Sequence, residues 1–245
     1  MKRLGFFFLG CIAVVLISGC LTDKHLSAGG DLLTAVAVTN DDLIQMSKEM
    51  RAVGDKENTV APVGNKYAQR LASLTDKLNK EGGLNLNFKV YLTQDVNANA
   101  TADGSIRVYS GLMDMMTDDE IFYVIGHEIG HVKNEDSLKQ IRTAYLTSGI
   151  IKAAGATSTT IAALTDSQLG DLLHTAINAQ YSQKAEYEAD LYGYNMMKKY
   201  KVDTRAAVSA LHKINSLGQS GGFLASHPNS ADRANRLEGF IKSGK

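Results

Sequence analysis

Residues 127–131 read His-Glu-Ile-Gly-His. Two histidines four apart stand one turn from each other on the same face of an α-helix. So placed, their imidazoles can take two corners of a tetrahedral Zn²⁺ site. The carboxylate of Glu128, beside the first, can handle the proton of a water polarised there. Two ligands leave such a site incomplete. Further along, the chain reads Ala185-Glu186-Tyr187-Glu188-Ala189-Asp190 in another helical stretch. Glu186 and Asp190 are four apart and share a face, whereas Glu188 points elsewhere. The economical assignment makes Glu186 the third zinc ligand. Asp190 then accepts a hydrogen bond from the non-coordinating nitrogen of a ligating His. Taken alone, the acidic segment fits a solvated helix face and the His pair fits two surface side chains. Their joint occurrence points to metal-assisted hydrolysis.

The elements that must position these groups are also marked. Thr117-Asp118-Asp119-Glu120 is a capping box ahead of an apolar stripe of Ile121, Val124, Ile125, Ile129 and Val132, which predicts a helix carrying both histidines. Gly126 and Gly130 flank the ligands at a cost of about 1 kcal/mol each in a helix interior, which suggests a crowded wall close to the metal. Upstream, Leu43, Met46, Met50 and Val53 form one core stripe. Tyr67, Leu71, Leu74 and Leu78 form another, stopped by Gly82-Gly83. Leu86, Phe88, Val90 and Leu92 alternate along a half-buried strand. Asn97-Ala98-Asn99-Ala100 and Ile106-Arg107-Val108-Tyr109 flank Asp103-Gly104, a hairpin signal.

Residues 141–180 are rich in Ala, Thr, Ser, Gly and Ile, but Lys152 and many hydroxyls argue against a membrane span. A pair of closely packed helices is expected there, an insertion that could serve as a lid. Ala207, Val208, Leu211, Ile214 and Leu217, then Ala234, Leu237 and Ile241, mark two closing helices. The expected fold is α+β and mostly α-helical, one domain over residues 41–245, with a small three-stranded sheet beside the His-bearing helix.

The N-terminus reads as an address. Lys2 and Arg3 precede fifteen uncharged residues, Leu4 to Ser18, too short a run to span a bilayer comfortably. Ile17-Ser18-Gly19-Cys20 looks like a bacterial lipobox, so residues 1–19 are expected to be removed and Cys20 acylated, with residues 20–40 as a tether. Leu21 after Cys20, rather than Asp, resembles enterobacterial lipoproteins kept at the outer membrane. A lipid-anchored protein on the periplasmic face is therefore expected. Cys11 falls in the leader, which leaves no internal disulfide. The 26 basic and 26 acidic side chains cancel, and no basic patch with interleaved aromatics suggests nucleic acid. His25, His174 and His212 read as solvent-exposed.

His127-Glu128-x-x-His131 with Glu186-x-x-x-Asp190 resembles the zinc metallopeptidase family that includes CAAX prenyl proteases, HtpX and BepA. Within it, Val96-Asn97-Ala98, the run from Ile106 to Met113, and Ser226-His227-Pro228 are similar to the LoiP branch of enterobacterial lipoproteins. The resemblance covers roughly residues 40–240. It implies a gluzincin-type domain with one zinc per chain on His127, His131 and Glu186, and Glu128 as general base and then general acid. It further implies Asp190 as the partner behind a ligand, and an edge strand around Asn97, Ala98, Asn99 and Ala100 on which an extended substrate lies. His227 would occupy the open metal position at rest or stabilise the oxyanion once it moves away. Arg233 is balanced between a site role and a surface salt bridge. The implied activity is zinc endopeptidase action on misfolded or stalled envelope proteins, with envelope assembly factors or proteases as further partners. The alternative is a chaperone-like lipoprotein that binds unfolded chains and rarely cuts.

Overall fold

A helix begins where a side chain can satisfy its first free N–H groups, and three threonines do so here. Thr39, Thr117 and Thr165 each accept a bond from the third residue beyond, whose own side chain accepts one from the threonine N–H. The computed structural model describes residues 38–148, 164–218 and 222–243. The leader, Cys20, the tether up to residue 37 and the middle of the small-residue insertion lie outside the described residues. The chain runs α1 (Asn40–Glu57), α2 (Lys66–Thr75), a 3-10 turn (Glu81–Gly83), β1 (Asn87–Tyr91), β2 (Ala98–Ala100) and β3 (Ser105–Tyr109). It continues as α3 (Ser110–Met115), α4 (Asp118–Lys133), α5 (Asp136–Thr147), α6 (Asp166–Asn178), α7 (Gln183–Tyr200), α8 (Arg205–Ser216), α9 (Phe223–Ser226) and α10 (Ser230–Ser243). The architecture is mostly helical with one small sheet, as expected. Helix α2 stops earlier than its stripe suggests. The Thr75 hydroxyl donates to the Leu71 carbonyl, an alternative to the helical ladder, and turns then carry Leu78 back into the core.

The sheet order is β1-β3-β2, with β1 parallel and β2 antiparallel to β3. Ala98, Ala100, Ile106 and Val108 point into the larger core, against Ile121, Val124, Ile125 and Ile129 of α4. A second core lies apart. Leu43, Met46, Met50 and Val53 of α1 pack with Leu138 and Ile141 of α5 and with Leu169, Leu172 and Leu173 of α6. Both ends of the predicted insertion are therefore packed helices. No helix among the described residues is long and apolar enough to cross a membrane.

Polar side chains join the two cores. Arg51 of α1 is buried and donates to Asn99 Oδ1 at 2.6 Å and Thr101 Oγ1 at 3.3 Å, across the face of the sheet. Asp55, one turn on, accepts from Arg107 at 2.8 and 2.9 Å, from Lys89 at 2.7 Å and from the Tyr91 hydroxyl at 2.8 Å. Ser47 donates to Asp103 in the hairpin turn at 3.1 Å. Burial alone would raise the Asp55 pKa, but the bonds from Arg107 and Lys89 outweigh it and hold the carboxylate well below the usual range.

Asp55→Asn should therefore cost about 3 kcal/mol in chemical denaturation, because it strands the buried Arg107 guanidinium. The folded-state pKa is depressed, so the carboxylate's contribution is fully present above about pH 4 and drains away as pH falls. The wild type should lose its advantage over the variant on acidification; a difference that stays constant from pH 7 to 3 contradicts this account.

Candidate metal centre

Helices α4 and α7 approach more closely than side chains normally allow. A Cβ on Gly126 would lie 2.9 Å from the Gly193 Cα, and one on Gly130 would lie 2.9 Å from the Ala189 Cα. The crowded wall expected beside the histidines is thus α7 itself. Its first turns carry Glu186 and Asp190, and the contact pushes both carboxylates between the imidazoles of α4.

His127, His131, Glu186 and His227 each offer a donor atom, and these atoms lie within 4.8 Å of one another, all buried. His127 Nε2 is 3.1 Å from His131 Nε2 and 3.2 Å from His227 Nδ1. Glu186 Oε1 is 2.9 Å from His227 Nδ1 and 3.3 Å from His131 Nε2. His227 arrives from the other side, at the C-terminus of α9, with its ring stacked on Phe223 at 4.1 Å. The two α4 imidazoles are oriented from behind. Asp190 accepts from His127 Nδ1 at 2.9 Å and Asp136 faces His131 Nδ1 at 3.2 Å. Both carboxylates only accept, so the proton sits on Nδ1 and each Nε2 is turned to the centre.

Arg233 settles between the carboxylates. It is 1% exposed and gives Asp190 a pair of bonds at 2.6 and 2.9 Å while its Nη1 meets Glu186 Oε2. That places it in the centre and not in a surface salt bridge. Tyr123 adds a hydroxyl to Asp190 at 2.6 Å. Sequence reasoning missed Asp136, Tyr123 and Tyr181. Tyr123 was within reach, since it precedes His127 by one turn on the same face. Asp136 was not, because it is brought back by Glu135 in a left-handed conformation, φ 60°, that nothing local announces.

Burial and charge set the protonation states. Burial, then the Arg233 guanidinium, depresses His127 to about 3, so it is neutral. Burial also pulls His131 down, but Asp136 and Glu186 overcome it and raise this imidazole to about 9. Glu186 is held well below its ordinary value, since Arg233 and His227 outweigh its burial. Glu128 is the exception, pushed up by desolvation. Both its oxygens are buried with no hydrogen-bond partner, and His227 Nε2 stands 3.5 Å from one of them. Three nitrogens and a carboxylate converge beside an orphaned carboxylate. That donor set fits a tetrahedral divalent ion of borderline softness.

The remaining expectations are placed as follows. Strand β2 is the sheet edge, yet Ala98, Asn99 and Ala100 are 0, 6 and 5% exposed, so its main chain is covered. The chain before it is also engaged, with the Phe223 N–H donating to the Val96 carbonyl. A cavity of about 480 Å³ opens at the start of the strand, between Val96 and Asn97 and the facing His174 and Asn178 of α6. His174 and His212 are solvent-exposed as expected, and Glu188 lies on the outer face of α7.

Comparison with known proteins bears on the same residues. Residues 65–241 match the family described as Peptidase family M48. The chain is 37% identical to Metalloprotease YcaL of Escherichia coli strain K12 across the full length of both. It is likewise 37% identical to Metalloprotease LoiP of that organism over 92% of each chain. A Protease HtpX homolog from Sulfurovum is 36% identical over 31% of this chain and 30% of its own.

A cation that takes His131 as ligand must displace its proton, whereas His127 has none to lose. Metal binding at neutral pH should release about one proton per ion, and affinity should weaken as pH falls from about 9. Calorimetry in buffers of different ionisation enthalpy measures this directly. Heats independent of buffer would show that His131 is already neutral.

Proposed function

Because this chain belongs to peptidase family M48 and is a metalloendopeptidase, we propose that it is a zinc enzyme, lipid-anchored at the outer membrane, that hydrolyses misfolded or stalled envelope proteins. The observation that carries the chemistry is the group of four donors beside a buried Glu128 that no other side chain satisfies. His127, His131 and Glu186 would hold the ion. The leader pattern ending in Cys20 supports the location, and the location together with the family supports the substrate class.

When bound, zinc would supply Lewis acidity, polarising the peptide carbonyl and acidifying water. The rest falls to the chain's own groups. Glu128, its pKa raised by desolvation, takes the proton of the attacking water and passes it to the departing nitrogen. Asp190 and Asp136 keep the His127 and His131 lone pairs aimed inward. Arg233 holds the second oxygen of Glu186 and fixes Asp190 from the opposite side. His227 Nδ1 would be the fourth donor at rest; displaced from it, the imidazole would be free to donate to the developing oxyanion.

Full burial of the centre favours a resting state closed to substrate. We assign the cover to α1, α6 and the part of α5 beyond its first turn, whose Asp136 stays with His131; these include the packed ends of residues 141–180. They form their own core and meet the sheet largely through polar contacts. The same burial supports the second reading, a chaperone-like protein that binds unfolded chains and cuts little.

The decisive experiment is cleavage of an unfolded protein by the chain starting after Cys20. Glu128→Gln should keep its metal and lose at least a hundredfold in turnover, and full activity in that variant would refute the assignment. If neither form cuts while both bind unfolded chains, the second reading stands. Linking Ser47→Cys to Asp103→Cys, whose native side chains meet at 3.1 Å, tests the cover. The oxidised form should cleave about tenfold more slowly and recover on reduction, whereas equal rates in both redox states would exclude this movement.

A further inference from the structure

Tyr181 lies in the connection between α6 and α7 and has no part in the donor pattern. Its ring is 3.7 Å from the His131 imidazole, centroid to centroid, and within 8° of parallel. His131 is fully buried, and the Tyr181 ring covers one face of its imidazole. The bond from Nδ1 to Asp136 fixes the direction of His131 within its own plane and leaves the ring free to tilt about that bond. A flat ring face-on to the imidazole removes the tilt. Among the described residues, the one hydrogen-bond partner of the tyrosine hydroxyl is Ser137 Oγ, at 3.5 Å, at the start of α5, and it bonds to none of the donor atoms. The contact is therefore made by the ring.

Tyr181 is itself held on both sides. Its N–H donates to the Ser226 carbonyl at 3.0 Å, one residue before His227, and its ring is 5.1 Å from that of His227. The next residue, Ser182, caps α7 by accepting from the Ala185 N–H at 3.2 Å, which ties Tyr181 to the helix bearing Glu186. One residue thus touches a donor on α4, the turn bearing a donor after α9, and the start of α7.

We propose that Tyr181 is a positioning residue of the metal centre, setting the plane of His131 through its ring and seating the His227 turn through its main chain. This deepens the zinc-centre reading and rests on it. Because the main-chain tie survives substitution, the variants report on the ring alone.

The test compares Tyr181→Phe, which keeps the flat face, with Tyr181→Leu, which keeps bulk without it. Zinc affinity is measured by competition with a chromophoric chelator, and geometry by the visible spectrum of the Co²⁺-substituted protein. Phe should match the wild type in both. Leu should raise the zinc dissociation constant about tenfold or more and alter the Co²⁺ bands, the loss expected when a partner orienting a ligand is removed. Thermal unfolding of the metal-free proteins separates this from loss of fold, and Tyr181→Met repeats the comparison if the leucine variant does not fold. Wild-type affinity and spectrum in Leu or Met would overturn the proposal, as would a Phe variant as weak as Leu, which would transfer the role to the hydroxyl. Failure of the wild type to bind zinc or Co²⁺ would instead sink the centre itself.

Discussion

The close approach of α4 and α7 is the constraint on which the rest depends. Gly126 and Gly130 face Gly193 and Ala189 across a gap that admits no Cβ. Each glycine costs helix propensity. What it permits is a carboxylate on one helix standing within bonding distance of an imidazole on the other. A separation larger by one methyl radius would leave Glu186 and Asp190 short of His127 and His131. The capping box at Thr117 and the core of Ile121, Val124 and Ile125 then serve mainly to hold α4 in register with its neighbour.

Packing these groups so tightly creates an electrostatic imbalance. Glu128, Glu186, Asp190 and Asp136 are gathered around the His cluster, and Arg233 is the permanent buried cation set among them. Arg233 holds Glu186 and Asp190 ionised against their burial, helped by His227 at Glu186 and by His127 at Asp190, while desolvation raises Glu128. A divalent cation at the four donors would answer that imbalance. Desolvation, against the pull of His227 and His131, is what makes Glu128 more basic than an ordinary carboxylate.

The division into two cores has a different logic. Apolar burial fixes α4, α7, α8 and α10 around the centre. The α1, α5 and α6 unit is joined to the sheet by Arg51, Asp55 and Ser47, whose partners are polar. The centre is thus framed by apolar packing, whereas the second core meets the sheet across a polar seam.

Much of this was legible in the chain because it is local. Two histidines one turn apart, a Thr-x-x-Glu cap, a Glu and Asp sharing a face, and Asp-Gly between two β-prone runs all declare themselves within a few residues, since backbone geometry converts spacing into direction. The alternating and helical stripes likewise identified most of the core. What spacing could not convey is which faces meet. The close packing of α4 on α7, the return of Asp136 through a left-handed Glu135, the burial of Arg233 against two carboxylates and the face-on ring of Tyr181 all join residues distant in sequence or turned by tertiary strain. Strand β2 makes the same point from the other side: its place at the sheet edge follows from the hairpin, but its concealment follows from elements packed over it. Local spacing set the chemistry available and the helix faces that present it. Tertiary packing alone decided how close those faces come, which side chains orient the donors, and that the centre is closed, because each of these depends on distances between segments that no local interaction sets.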